Sequence, residues 1–123
     1  AVKSVRMTKM DEDTLKHFKG EIVVMAPLRH PNLVNLLGAC WTDGPDKLCI
    51  VLEFCAKGSV NDLLKSGEHD WNGTYSNITL GIAKCFKYLH LDQPSKKALI
   101  HRDLKPANVL VADDMTAKVA DCK

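Results

Sequence analysis

"HRDLKPANVL", residues His101 to Leu110, concentrates an imidazole, an acid, two bases and a carboxamide within ten positions of a 123-residue chain. Pro106 marks it as a loop, and the runs that follow, "NVLV" and "AKVAD", read as two short strands with Asp113-Asp114 at their turn. Asp103, Asn108 and Asp121 are the polar groups that such a loop and hairpin could bring together. Two carboxylates and a carboxamide are hard oxygen ligands suited to Mg²⁺, with Lys105 as a cation for phosphate and Asp103 able to accept a proton from an alcohol. This is chemistry for moving a phosphoryl group, where positioning and charge neutralisation carry most of the catalysis.

Upstream of the loop, the apolar spacing defines what would hold it. "AVKSVRM" alternates apolar and polar residues and reads as a strand from its first residue, as if cut from something longer. Asp11, Glu12 and Asp13 then place negative charge where a helix N-terminus favours it, and Leu15, Phe18, Ile22 and Met25 recur at spacings of 3, 4 and 3. The spacing predicts an amphipathic helix from about Asp11 to Met25, ending before Pro27. Glu21 falls beside its apolar stripe, where a glutamate ordinarily reaches solvent. "NLVNLLGAC" and "KLCIVLEFC", separated by Asp43-Gly44-Pro45-Asp46, read as a hairpin, and the second run is apolar on both faces as a central strand would be. A sheet of Ala1 to Met7, Leu33 to Cys40 and Lys47 to Phe54 with the helix on one face is the expected arrangement. After Lys57-Gly58-Ser59 the pattern turns helical: Val60, Leu63 and Leu64 make a short helix, and Trp71, Tyr75, Ile78, Ile82, Phe86 and Leu89 a longer one. Strands first and helices after is the order of an α+β architecture in two parts.

Composition limits the alternatives. With 46% hydrophobic and 26% charged residues the chain reads as an ordinary globular unit, at most one domain. A formal net charge of +2 without a run of five like charges gives no reason to expect nucleic acid or an anionic membrane as partner. No apolar stretch approaches the ~20 residues of a membrane helix, and no signal-peptide pattern opens the chain. Cys40, Cys49, Cys55, Cys85 and Cys122 are odd in number, mostly in apolar surroundings and without C-x-x-C spacing, so they read as buried free thiols of a reducing, cytoplasmic compartment.

Taken in order, these motifs resemble a eukaryotic-type protein kinase domain, of the serine/threonine type and the tyrosine-kinase-like group. The resemblance runs over all 123 residues, from the VAIK strand to the DFG position, and implies a truncated kinase-like α+β fold. Residues 1–54 would be an incomplete, β-rich N-lobe with helix C, and residues 55–123 the hinge and the first part of a mainly helical C-lobe. It implies that Lys3 of "AVK" grips the α- and β-phosphates of ATP and that Glu21, eighteen residues on, pairs with it. In "IVLEFC", Leu52 would be the gatekeeper and the backbone of Glu53 and Cys55 would hydrogen-bond adenine, sandwiched between Ala1 and Leu110. In "HRDLKPAN", Asp103 would be the catalytic base, Lys105 a charge beside the transferring phosphate and Asn108 a Mg²⁺ ligand, with Asp121 as the second metal ligand. His101 would be a packing post with Met25 and Leu36 rather than a proton carrier.

The most specific signal is HRDLKPAN with an aspartate thirteen positions after Asn108, and Lys105-Pro106 resembles the serine/threonine pattern. The expected activity is transfer of the γ-phosphoryl of ATP to a serine or threonine of a protein substrate, with Mg²⁺ as cofactor and regulatory proteins as further partners. The departures from the family pattern are the absence of a glycine-rich loop before Lys3 and Asp121-Cys122-Lys123 in place of DFG. They give a second expectation, a non-catalytic kinase-like or pseudokinase product that works by binding a partner, and predict little activity for the isolated chain.

Overall fold

The computed structural model describes residues 1–5, 12–41 and 48–122, without the side chains of Lys3, Ser4, Val5, Glu12, Thr14 and Trp41. Its first half is a three-stranded antiparallel sheet in the order β1-β3-β2, from β1 (Val2–Val5), β2 (Leu36–Trp41) and β3 (Leu48–Leu52). β3 is central, as its two-sided apolarity predicts. Helix α1 (Glu12–Met25) lies on one face, where Phe18 packs with Leu48 and Ile50, and Leu15, Ile22, Leu36 and Leu52 close around them. Burying that stripe is what fixes the helix on the sheet, because a 14-residue helix is marginal on propensity alone.

The strand ends differ from expectation for identifiable reasons. Met7 and Lys47, expected in the outer parts of β1 and β3, lie outside the described residues. Leu33 and Val34, expected in β2, pair elsewhere: Leu33 bridges Val119, and the Val34 N–H donates to the Val119 C=O at 2.9 Å. Glu53 and Phe54 leave β3 because the Glu53 N–H turns to the Asn35 C=O at 2.9 Å.

The second half begins with α2 (Val60–Ser66). A capping box starts it, the Asp62 N–H donating to Ser59 Oγ and the Ser59 N–H to Asp62 Oδ2, and Gly67 at φ 67° ends it in the left-handed conformation glycine tolerates. A π-helical turn (Trp71–Tyr75) leads into α3 (Ser76–His90), so the long helix begins later than its apolar spacing suggests. Trp71, read as part of the stripe, is exposed and stands against the Tyr75 ring at 5.2 Å. Tyr75, Ile78 and Leu89 are buried as the spacing requires, while Ile82 and Phe86 are only half-buried and Cys85, outside that stripe, is fully buried. Strands β4 (Val109–Val111) and β5 (Ala117–Val119) form the expected hairpin, with Val109, Val111, Ala117 and Val119 buried.

That hairpin joins the two halves. Val111 exchanges hydrogen bonds with the segment after β3, its C=O accepting from the Lys57 N–H at 3.1 Å and its N–H donating to the Gly58 C=O at 2.9 Å. On the other strand the Val119 N–H donates to the Asn32 C=O at 2.9 Å, beside the Val34 contact. The loop after α1 and the segment after β3 therefore grip the same short hairpin, whose far end carries Asp121. No helix among the described residues is long and apolar enough to cross a membrane.

Candidate active site

The loop at 101–108 is built around His101, which is 1% exposed. Its Nε2 lies 2.7 Å from the Ala120 C=O, its Nδ1 faces the Asp103 N–H at 3.3 Å, and its ring packs on Phe86 at 5.8 Å. One ring thus holds the backbone of both the loop and the end of β5. This agrees with a packing role, although Leu36 sits in the cluster under α1 and the observed ring neighbour is Phe86. Arg102 at φ 67° and Asp121 at φ 58° are both left-handed, a conformation that costs a non-glycine residue energy and is held here by these contacts.

The loop delivers Asp103. Asn108 Nδ2 donates to both the Asp103 C=O at 2.9 Å and Asp103 Oδ2 at 3.0 Å. Lys105 Nζ reaches the same carboxylate at 2.9 and 3.1 Å. The Asn108 amide nitrogen is thus used on Asp103, and no described residue donates a hydrogen bond to its oxygen. The Asn108 C=O accepts from the Ala120 N–H at 2.9 Å, so Asp121 follows the residue that pairs with Asn108. Asp103 and Asn108 are thus brought together directly, and Asp121 is tethered beside them through Ala120. A carboxamide oxygen and the carboxylates of Asp103 and Asp121 are hard oxygen donors of the kind that suit Mg²⁺.

The segment expected to hold adenine is equally ordered. Leu52 pairs across the sheet with Leu36, and its N–H donates to the Ala1 C=O at 2.7 Å. With the Glu53 N–H taken by Asn35, the Glu53 C=O and the Cys55 N–H make no main-chain hydrogen bond among the described residues. Leu110, between buried Val109 and Val111, is itself only half-buried, and Ser59 bridges it. Lys3 pairs with Ile50 in the β1–β3 ladder, but its side chain, and so its expected pairing with Glu21, lies outside the described residues. Glu21 is half-exposed on α1.

Cys122 stands where the resemblance expects phenylalanine. It is 2% exposed among Leu28, Leu33, Cys85, Leu89 and Val119, and the cavity left beside it, lined also by Met25 and Val34, is only ≈ 10 Å³. Burial pushes its thiol up to about 11, and that of Cys85 to about 12. Cys55 is buried too, but Cys40 is exposed and Cys49 half-buried, so the expectation of buried thiols fails for the β2–β3 pair.

Several site-supporting residues carry no local sequence signal. Lys118 Nζ lies 2.6 Å from Glu53 Oε1, while the Asn35 side-chain amide donates to Glu53 Oε2 at 3.0 Å. Burial favours the neutral form of Glu53, but the bonds from Lys118 and Asn35 outweigh it and hold the carboxyl below the usual range. Lys96, 6% exposed, donates to the C=O groups of Leu89, Leu91 and Lys97 and lies 4.9 Å over the Tyr88 ring. Tyr88 also stacks on His30 at 5.1 Å and accepts from the Arg29 N–H. A lysine in a polar stretch such as "LDQPSKK" reads as solvated, and nothing in its neighbours marks it as a cap.

The chain matches, over residues 1–123, the sequence model of the family described as "Protein tyrosine and serine/threonine kinase". It belongs to the protein kinase family. Among kinases of Arabidopsis thaliana it is 42% identical over 120 residues to cysteine-rich receptor-like protein kinase 14, matching 94% of this chain and 18% of that protein. It is 37% identical over 126 residues to serine/threonine-protein kinase STY46, matching 98% of this chain and 20% of that one. Among solved structures, the pseudokinase DRIK1 (drought responsive inactive kinase 1) superposes with a TM-score of 0.82 at 27% identity, over 99% of this chain and 47% of its own. An apo pseudokinase gives 0.83 at 26% identity with the same coverage. The chain therefore has a partial kinase fold and spans about a fifth of the length of these curated relatives.

Proposed function

We propose that this chain carries the nucleotide-holding frame and catalytic loop of a protein serine/threonine kinase, which transfers the γ-phosphoryl of ATP to a hydroxyl of a protein substrate. The observation that supports it most is the Asp103 carboxylate held by Asn108 Nδ2 and Lys105 Nζ within the 101–108 loop. Asp103 accepts the proton of the attacking serine or threonine hydroxyl. Asn108 fixes the orientation of that carboxylate, and Lys105 places positive charge where the transferring phosphoryl is negative. Mg²⁺, held by the Asn108 amide oxygen and Asp121, would neutralise phosphate charge. The Glu53 C=O and Cys55 N–H take the adenine edge, with Leu52, Ala1 and Leu110 around the base and Lys3 with Glu21 on the phosphates. Regulatory proteins act on this frame through its surfaces.

A second reading has its own support: Cys122 in a closed apolar niche in place of phenylalanine, and likeness to two pseudokinases. On that reading the chain binds nucleotide or a partner without transferring phosphate. The protein expressed at the full length of its coding sequence, incubated with radiolabelled ATP and a generic basic protein, separates the two. Label on serine or threonine that Asp103→Asn abolishes supports the kinase. Nucleotide binding without transfer, unchanged by Asp103→Asn, supports the second reading and overturns the first.

A further inference from the structure

Cys40 and Cys49 are partners in the antiparallel ladder of β2 and β3, each directly facing the other. Facing residues in such a ladder have Cα atoms about 4.5 or 5.5 Å apart in its two alternating pair types. Both separations fall within the roughly 4.4–6.8 Å that a disulfide spans. Facing side chains also lie on the same side of the sheet. That side is opposite α1: Leu48 and Ile50, the neighbours of Cys49 on β3, are buried under the helix, and alternation turns Cys49 the other way. Cys40 is exposed and Cys49 half-buried, and both are free thiols.

We propose that Cys40 and Cys49 form a cross-strand dithiol that hydrogen peroxide oxidises to an intramolecular disulfide joining β2 to β3. The exposed Cys40 meets the oxidant. Its thiolate attacks a peroxide oxygen, the S–O bond forms as the O–O bond breaks, and the departing oxygen leaves as water after taking a proton. The Cys49 thiolate then attacks the sulfenic sulfur, the S–S bond forms, and hydroxide leaves and is protonated to a second water. Two thiols lose two electrons and two protons, and one hydrogen peroxide becomes two waters. The other cysteines are poor competitors: Cys55, Cys85 and Cys122 are buried, and the last two have thiols pushed far above neutrality. The bridge would staple the strand that runs directly into Leu52 and Glu53, independently of whether the protein transfers phosphate.

The test is peptide mapping of the native protein after hydrogen peroxide, with remaining thiols alkylated in denaturant before tryptic digestion. Cleavage after Arg29, Lys47 and Lys57 leaves Cys40 in residues 30–47, and Cys49 with Cys55 in residues 48–57. The expected product is these two peptides linked, with fragment ions placing the bridge on Cys49 and the alkyl group on Cys55, all reversed by dithiothreitol. Cys49→Ser and, separately, Cys40→Ser should lose the linked species entirely. Phenylarsine oxide, which bridges neighbouring thiols, needs no variant: the native protein should bind it and the oxidised protein should not. A bridge to Cys55, a link between two isotopically distinct copies, or Cys40 oxidised to sulfinic acid with Cys49 still alkylated would each overturn the proposal.

Discussion

Gly81, buried in the middle of α3, offers a test in which two known effects oppose each other. A methyl at this position would stand 2.7 Å from Asn32 Nδ2, closer than packed atoms allow, with Asn32 Cγ tight at 3.3 Å and Ala117 Cβ at 3.4 Å in ordinary contact. Asn32 Nδ2 donates to the Ala117 C=O at 3.0 Å and cannot both keep that bond and make room. Gly81→Ala gains about 1 kcal/mol of helix propensity. Against it stand about 1–3 kcal/mol for the carbonyl left without its donor and about 1–3 kcal/mol for overpacking. The net expectation is a loss of about 1–5 kcal/mol, read as a lower urea midpoint at unchanged slope. With Asn32→Ala as background the obstruction is gone, and the same substitution should raise stability by about 1 kcal/mol. If Gly81→Ala stabilises the otherwise unchanged protein, or still destabilises it when Asn32 is alanine, the steric reasoning is wrong.

Three further outcomes are expected. Lys96→Met keeps the stem over Tyr88 but removes a charged donor from three C=O groups, and should cost about 2–4 kcal/mol in urea unfolding; an effect under about 0.5 kcal/mol would mean that water replaces the ammonium. The Glu53 carboxyl, lowered because the Lys118 and Asn35 bonds outweigh burial, contributes stability above the ordinary glutamate range that is lost as pH falls through its depressed value. Glu53→Gln should therefore flatten the acid side of a stability-versus-pH curve while leaving a smaller difference at the lowest pH; parallel curves would refute the pairing. Cys122→Phe should overpack the ≈ 10 Å³ cavity beside it and cost about 1–3 kcal/mol in urea unfolding, whereas a neutral result would show that the niche opens.

The local patterns of this chain were decided by its own sequence. The period of Leu15, Phe18, Ile22 and Met25 specifies α1 and the face it buries, and the two-sided apolarity of residues 48–52 marks β3 as central. The spacing of Asp103, Lys105 and Asn108 is compact enough for one loop to bring them together, which is why that contact was legible. Register and long-range pairing were not. Leu33 and Val34 look like the start of β2, yet Val119 claims them from the far end of the chain. Only the folded structure sets Glu53 on Lys118, Asn32 against Gly81 and Cys40 opposite Cys49. The physical reason is that periodicity reports which face of an element avoids water, while the partner on that face depends on how distant segments meet. A polar side chain such as Lys96 or Glu53 becomes part of the frame only after the fold has placed unsatisfied carbonyls or an opposite charge within its reach.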